Sequence, residues 1–222
     1  MTSTTKPTDV HLDKIKIATP TPATTTPTER CAGCPKPGTL RCSRCKNDAY
    51  CSKECQKKLF KTHAPLCKTL AAFQDRPNPD MHRAIYFPEY ESTPRFMWMD
   101  YNDPYAAEEL LAHNNSSLKS TMIMDGDRKL QRRLGHNIQL SYRENFLSDR
   151  SDINMSIETF IGSELGRTFR GPFLAGGWNE IEDDDQHEDS TETVDLDTKA
   201  LAPIVAFLKK LAGSKLPCRS SA

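Results

Sequence analysis

Seven cysteines and one histidine fall within residues 31–67 as four close pairs: Cys31/Cys34, Cys42/Cys45, Cys51/Cys55 and His63/Cys67. Within the pairs the intervening residues number two, two, three and three, so a tight turn or a single helical turn can aim both side chains of a pair at one ion. Thiolate sulfur and imidazole nitrogen suit zinc, and eight such ligands complete two closed tetrahedral sites. Closed coordination leaves no position for a water or a substrate, so the chemistry expected is structural rather than hydrolytic.

The competing use of eight cysteines, counting Cys218, is a disulfide framework. Three features argue for metal instead: two C-x2-C pairs, a histidine in the eighth slot, and a Thr/Pro-rich start without an apolar run that could act as a secretory signal. The chain is therefore expected to be intracellular, in nucleus or cytoplasm and not secreted, where thiols stay reduced. Cys218, far along a polar tail, reads as a free thiol.

Something must position these ligands, and about forty residues cannot bury enough apolar surface to do so alone. Zinc then serves as the core, its binding free energy, on the order of 10 to 16 kcal/mol for structural sites, being folding free energy. Residues 52–62 are rich in helix formers and lack Gly and Pro, predicting a short helix that carries Gln56 and Phe60 one turn apart. Spacing alone leaves both sequential and interleaved pairings of the ligands open.

The pattern C-x2-C, C-x2-C, C-x3-C, H-x3-C, with seven, five and seven residues between pairs, resembles the MYND zinc finger over residues 31–67. The resemblance implies a cross-brace fold: Cys31, Cys34, Cys51 and Cys55 hold one structural zinc, and Cys42, Cys45, His63 and Cys67 hold the second. It also implies a peptide groove along the helix, with Ser43, Gln56 and Phe60 at ligand-contacting positions and Phe60 where the family usually has Trp. A proline-containing segment of a partner protein is the implied ligand, and such fingers commonly serve transcriptional or chromatin regulators. The smaller Phe60 lacks an N–H donor and predicts weaker binding, or a role packing over the zinc core.

Outside the finger, residues 1–29 hold ten threonines and four prolines and read as a disordered tail. Residues 70–178 are more globular. Turn signals separate short strands expected at 84–87, 95–99, 121–124 and 138–142 from helices at 104–113 and 153–161, an α+β domain of unrecognised family. Residues 179–197 carry ten acids with no Lys or Arg and read as a disordered linker. Residues 198–212 follow as an amphipathic helix, with Leu201, Ile204, Val205, Leu208 and Leu211 on one face, and residues 213–222 as a second disordered tail.

Charge bears on the choice of partner. The formal net charge of zero hides eight basic residues against two acids within 31–67, but seven thiolates and two zinc ions reduce the finger to about +3. Without interleaved aromatics or a reader motif, nucleic-acid binding is disfavoured. The acidic block could fold back on Lys53, Lys57, Lys58 and Lys61 and screen the groove. No apolar run approaches the ~20 residues of a membrane span, and oligomeric state is not legible.

Enzymatic readings are thin. A MYND finger also occurs inserted in SET-domain lysine methyltransferases, and Gly162-Ser163-Glu164-Leu165 with Phe169 faintly resembles one SET motif, but no Gly-rich cofactor segment precedes the finger and no Asn-His-Ser-Cys motif follows. His82, His113, His136 and His187 are isolated and read as surface residues rather than bases. Gly171-Pro172 and Gly176-Gly177 lack the context of a phosphate loop. The expectation is a binding protein without catalytic activity, with a divergent SET-like methyltransferase as the alternative.

Overall fold

The structure, a computed structural model, describes residues 29–103, 105–111, 117–123, 134–180 and 191–213. Cys218, His113, His187, most of both terminal tails and residues 181–190 of the acidic block lie outside the described residues.

The finger begins with a two-stranded ribbon, β1 (Leu40–Arg41) and β2 (Ala49–Tyr50), paired antiparallel with Leu40 opposite Tyr50. It runs into helix α1 (Lys53–Thr69), capped by the Ser52 hydroxyl, which accepts from the Cys55 N–H. This helix ends seven residues beyond the point the sequence predicts. Pro65 forfeits the bond to the carbonyl four residues back, yet the helix continues, because both ends of this last stretch are anchored. His63 and Cys67 turn towards a ligand cluster, and Leu66, with no exposed surface, enters the main core. A 3-10 turn (Leu70–Phe73) follows and buries Leu70 beside it.

The body is a six-stranded antiparallel sheet of β3 (Met81–Phe87), β4 (Arg95–Asp100), β5 (Leu118–Met122), β6 (Asn137–Arg143), β7 (Phe173–Glu180) and β8 (Thr191–Val194). Its order is β4-β3-β7-β6-β5, with β8 on β7 beyond the end of β3. Period-2 alternation sends Ile85, Phe87, Phe96, Ile138, Leu140, Phe173 and Ala175 to one face. That face is covered by α1, by α3 (Met155–Ile161) and by the C-terminal helix α5 (Leu201–Gly213); the four-residue α4 (Ser163–Gly166) joins α3 to the chain entering β7. The opposite face carries Ala84, Met99 and Leu174 under Leu111 of the short α2 (Ala106–Leu111).

Two of the strands escape sequence reading. The centre of the sheet is β7, whose Gly176-Gly177 pair has low strand propensity. A Cβ on Gly176 would run into the Tyr101 hydroxyl, and one on Gly177 would stand 2.8 Å from both the Leu196 side chain and the Val194 carbonyl. The glycines mark close approaches inside the sheet. The end of the presumed acidic linker is β8, held because Asp195 accepts from the Arg83 N–H (2.7 Å) and pairs with Arg76 (3.0 Å), while the Arg83 guanidinium donates to the Leu196 and Phe73 carbonyls, each at 2.6 Å. Residues 191–197 are thus not a disordered linker. Glu180 opposes Thr191 in register.

Other expectations are adjusted in place. The C-terminal helix starts at Leu201 rather than at residue 198, because the Asp197 carboxylate takes the Lys199 N–H in a preceding turn. His136 is buried, not on the surface. Asn154, in a glycosylation-type sequon, is also buried: it caps α3 and donates to the Phe87 and Gly171 carbonyls. The faint SET-like stretch is a helix junction, with Gly162 ending α3 and Phe169 enclosed in the core.

Finger and body are not separated by a linker. Besides Leu66 and Leu70, the Lys61 ammonium donates to the Thr159 carbonyl (2.6 Å) and Lys199 pairs with Glu29 (2.9 Å). Leu66→Ala should therefore lower the stability of the whole chain by about 3 kcal/mol. Denaturant unfolding monitored through Trp98 and Trp178 in the body, with zinc content still at two ions per chain, is the check. An unchanged midpoint would show that α1 contributes nothing to the sheet.

Candidate metal centres

The eight ligands converge on two points, and the interleaved pairing prevails over the sequential one. Cys31, Cys34, Cys51 and Cys55 form one group and Cys42, Cys45, His63 and Cys67 the other, with all ligand atoms of a group within 4.8 Å of one another. Four sulfurs at zinc–sulfur distances of ~2.3 Å in a tetrahedron stand ~3.8 Å apart, and sulfur to nitrogen stands ~3.6 Å apart. The Cys34–Cys51 and Cys51–Cys55 separations are 3.4 and 3.5 Å, Cys42–Cys67 is 3.7 Å, and His63 Nε2 lies 3.3 Å from Cys42 and 3.6 Å from Cys45. These spacings fit zinc and are far too long for disulfides. The seven described cysteines are all free.

Each ligand pair has its own local support. In the first, the Cys34 N–H donates to the Cys31 carbonyl, and the Gly33 N–H points at the Cys31 sulfur from 3.4 Å. In the second, the Lys46 N–H closes a turn onto the Cys42 carbonyl at 2.9 Å, at the cost of a left-handed backbone at Lys46 (φ 56°). The Ser52 cap orients Cys55 at the head of α1. His63 and Cys67 lie four residues apart on α1 and share a face.

Sequence reasoning missed the groups behind His63. Its Nδ1–H donates to Asp48 Oδ2 at 2.9 Å, which fixes the tautomer and leaves Nε2 for the metal. Both partners are enclosed, with side-chain exposures of 6% and 3%. Asp48 is in turn saturated by donors: the Tyr50 hydroxyl at 3.2 Å, the Asn47 amide at 3.3 Å and the Thr198 hydroxyl. Asn47 also donates to Thr198 Oγ1 at 2.9 Å. Burial alone would push the Asp48 carboxyl up, but its bonds and charge interaction with His63, then Thr198 and Asn47, hold it below its ordinary range. Burial and the Asp48 charge push Tyr50 well up, so it remains a donor. The signal in the sequence was faint: an acid and an amide in a short interligand spacer, and a threonine 150 residues away.

Two outcomes follow. Asp48→Asn and Thr198→Val should each loosen one zinc and spare the other, with chelator competition removing the labile ion about 10- to 100-fold faster and two-phase release replacing uniform release. Two equally labile ions, or none, would exclude the relay. The second outcome concerns acid. In the metal-free chain, burial would lower the His63 pKa, but the Asp48 and Cys45 partners raise it to about 10. The zinc-loaded fold holds thiolates and a neutral imidazole, hence fewer protons than the unfolded chain, so its stability is full above the ordinary thiol range near pH 8.5 and falls as pH drops. Zinc release followed by a colorimetric chelator from pH 8.5 downwards measures it.

Among the described residues no helix is long and apolar enough to cross a membrane. No solved structure matches the chain. Residues 31–67 match the family model described as MYND finger, and with two interleaved ligand groups of zinc geometry behind that match, this segment of the chain is a MYND finger built around two structural zinc ions.

Proposed function

We propose that the chain is an intracellular interaction protein whose finger recruits a partner through a short proline-containing segment. The observation that carries this reading is Phe60. It is 50% exposed on α1 beside the zinc-ligating residues, where a purely structural aromatic would be covered. Gln56, half-buried, is one turn earlier on the same side, and Ser43 is exposed on the knuckle between Cys42 and Cys45, whose zinc is shared with His63 and Cys67 further along that helix. An exposed aromatic plate with an amide one turn earlier on the helix, and a hydroxyl on the knuckle, suits an extended segment: the plate takes the pyrrolidine rings and the polar groups take backbone carbonyls.

Binding rather than catalysis is the reading throughout. Both metal sites are closed by four ligands, and the carboxylate beside His82, Asp195 at 3.8 Å, is already engaged by the Arg83 N–H and by Arg76. Thiolate ligands suit a reducing compartment, and transcriptional or chromatin regulation is one setting such recruitment serves. The full zinc-loaded chain should bind selected members of a proline-rich peptide array, and Gln56→Ala with Phe60→Ala should weaken that binding at least about tenfold without loss of zinc. Absence of binding by the two-zinc chain would make the finger a structural element of the body.

A further inference from the structure

A second surface lies between the finger and the C-terminal helix. There a groove of about 460 Å³ is floored by Gly33, Leu59, Ile123, Pro203, Ala206 and Phe207, with Lys58 and Lys210 at its margin. Ser43, Gln56 and Phe60 do not line it, so it is distinct from the partner surface argued above. Its floor combines a proline ring, a phenylalanine and small residues, the composition that receives a polyproline-type strand.

We propose that this groove is the seat of the chain's own Thr/Pro-rich segment, residues 18–28. The first argument is where that segment joins the fold. Glu29, the first described residue, is pinned on both sides: its carboxylate pairs with Arg41 at 2.6 Å and with Lys199 at 2.9 Å, and its carbonyl accepts from the Gly38 N–H at 2.7 Å. Lys199 precedes α5 by two residues and Pro203 by four, so the segment leaves the fold at the end of the helix that forms the groove wall. The second argument is chemical. Pro20, Pro22 and Pro27 carry no N–H, so they can lie on an apolar floor without stranding a donor, and Ala23 and the intervening threonines are small enough to follow it.

Reach is sufficient. Residues 20–28 span about 28 Å as a polyproline helix, whereas Pro203 to Lys210 covers about 10 Å along α5. Tethering also relaxes the affinity required. A short flexible connection gives an effective concentration in the millimolar range, so a contact with a dissociation constant of a few hundred micromolar in trans would be mostly closed in cis. The segment would thereby cover the apolar groove between the finger and the C-terminal helix.

The test uses the full zinc-loaded chain and amide NMR. In the wild type, amides of residues 18–28 should depart from random-coil shifts. Ala206→Arg, at an exposed position on the groove floor, should return them to random-coil values while leaving the dispersed body spectrum intact. Pro20→Ser, Pro22→Ser and Pro27→Ser together cannot disturb the core and should shift the amides of Gly33, Leu59, Ala206 and Phe207. Random-coil tail shifts in the wild type overturn the proposal. So does a tail that responds to Phe60→Ala and not to Ala206→Arg, which would place it on the partner surface. If the tail responds as expected but no foreign proline peptide binds the finger, this inference stands and the recruiting role is lost.

Discussion

One helix has to satisfy two cores at once, and the rest of the architecture follows from that demand. Along α1, Cys55, His63 and Cys67 are committed to zinc, while Leu66 on an adjacent face is committed to the sheet. A rotation that improved one commitment would spoil the other, because coordination tolerates only a few tenths of an ångström and a packed interior tolerates little more. The metal thus sets not only the finger but the rotational setting of the element against which α5 and the 3-10 turn pack. This is why Pro65 is accommodated. The lost backbone bond is small beside two ligands and a buried leucine.

The Asp48 relay carries the same coupling in polar form. A carboxylate enclosed in protein is costly unless its lone pairs are filled, and Asp48 is filled by His63, Tyr50, Asn47 and Thr198. Three of these donors belong to the finger and one to the segment entering α5. The second zinc site is therefore enclosed by the body as well as by its own knuckle, whereas the first leans on the ribbon and the Ser52 cap. Two sites that look equivalent in the ligand pattern differ in what supports them.

What could be read in advance follows from this division. The ligands and their close pairs were legible because metal chemistry dictates residue type and spacing locally, whereas which pairs share an ion came only from the resemblance and was settled by the fold. The apolar alternation of β3, β4 and β6 and the heptad-like face of α5 were legible because a half-buried strand or helix must show its period. By contrast, β7 was hidden because it is buried on both faces and carries glycines where Tyr101 and β8 approach. The acidic signal masked β8, since Asp195 is paired with arginines contributed from other parts of the chain. Thr198 read as the start of a helix, and nothing near it in sequence announces Asp48. Residues that act locally announce themselves, and residues whose partner is distant in sequence do not.

The separation between Asp48 and Thr198 also orders events in time. At a synthesis rate of about 5–20 residues per second, the 150 residues between them take on the order of ten seconds to appear. For most of that interval, once Cys67 has been added, the nascent finger has all eight ligands but lacks the hydroxyl behind its histidine. Its first zinc site matures early, whereas its second remains exchangeable until the C-terminal helix docks. The order of maturation of the two sites is written into the topology.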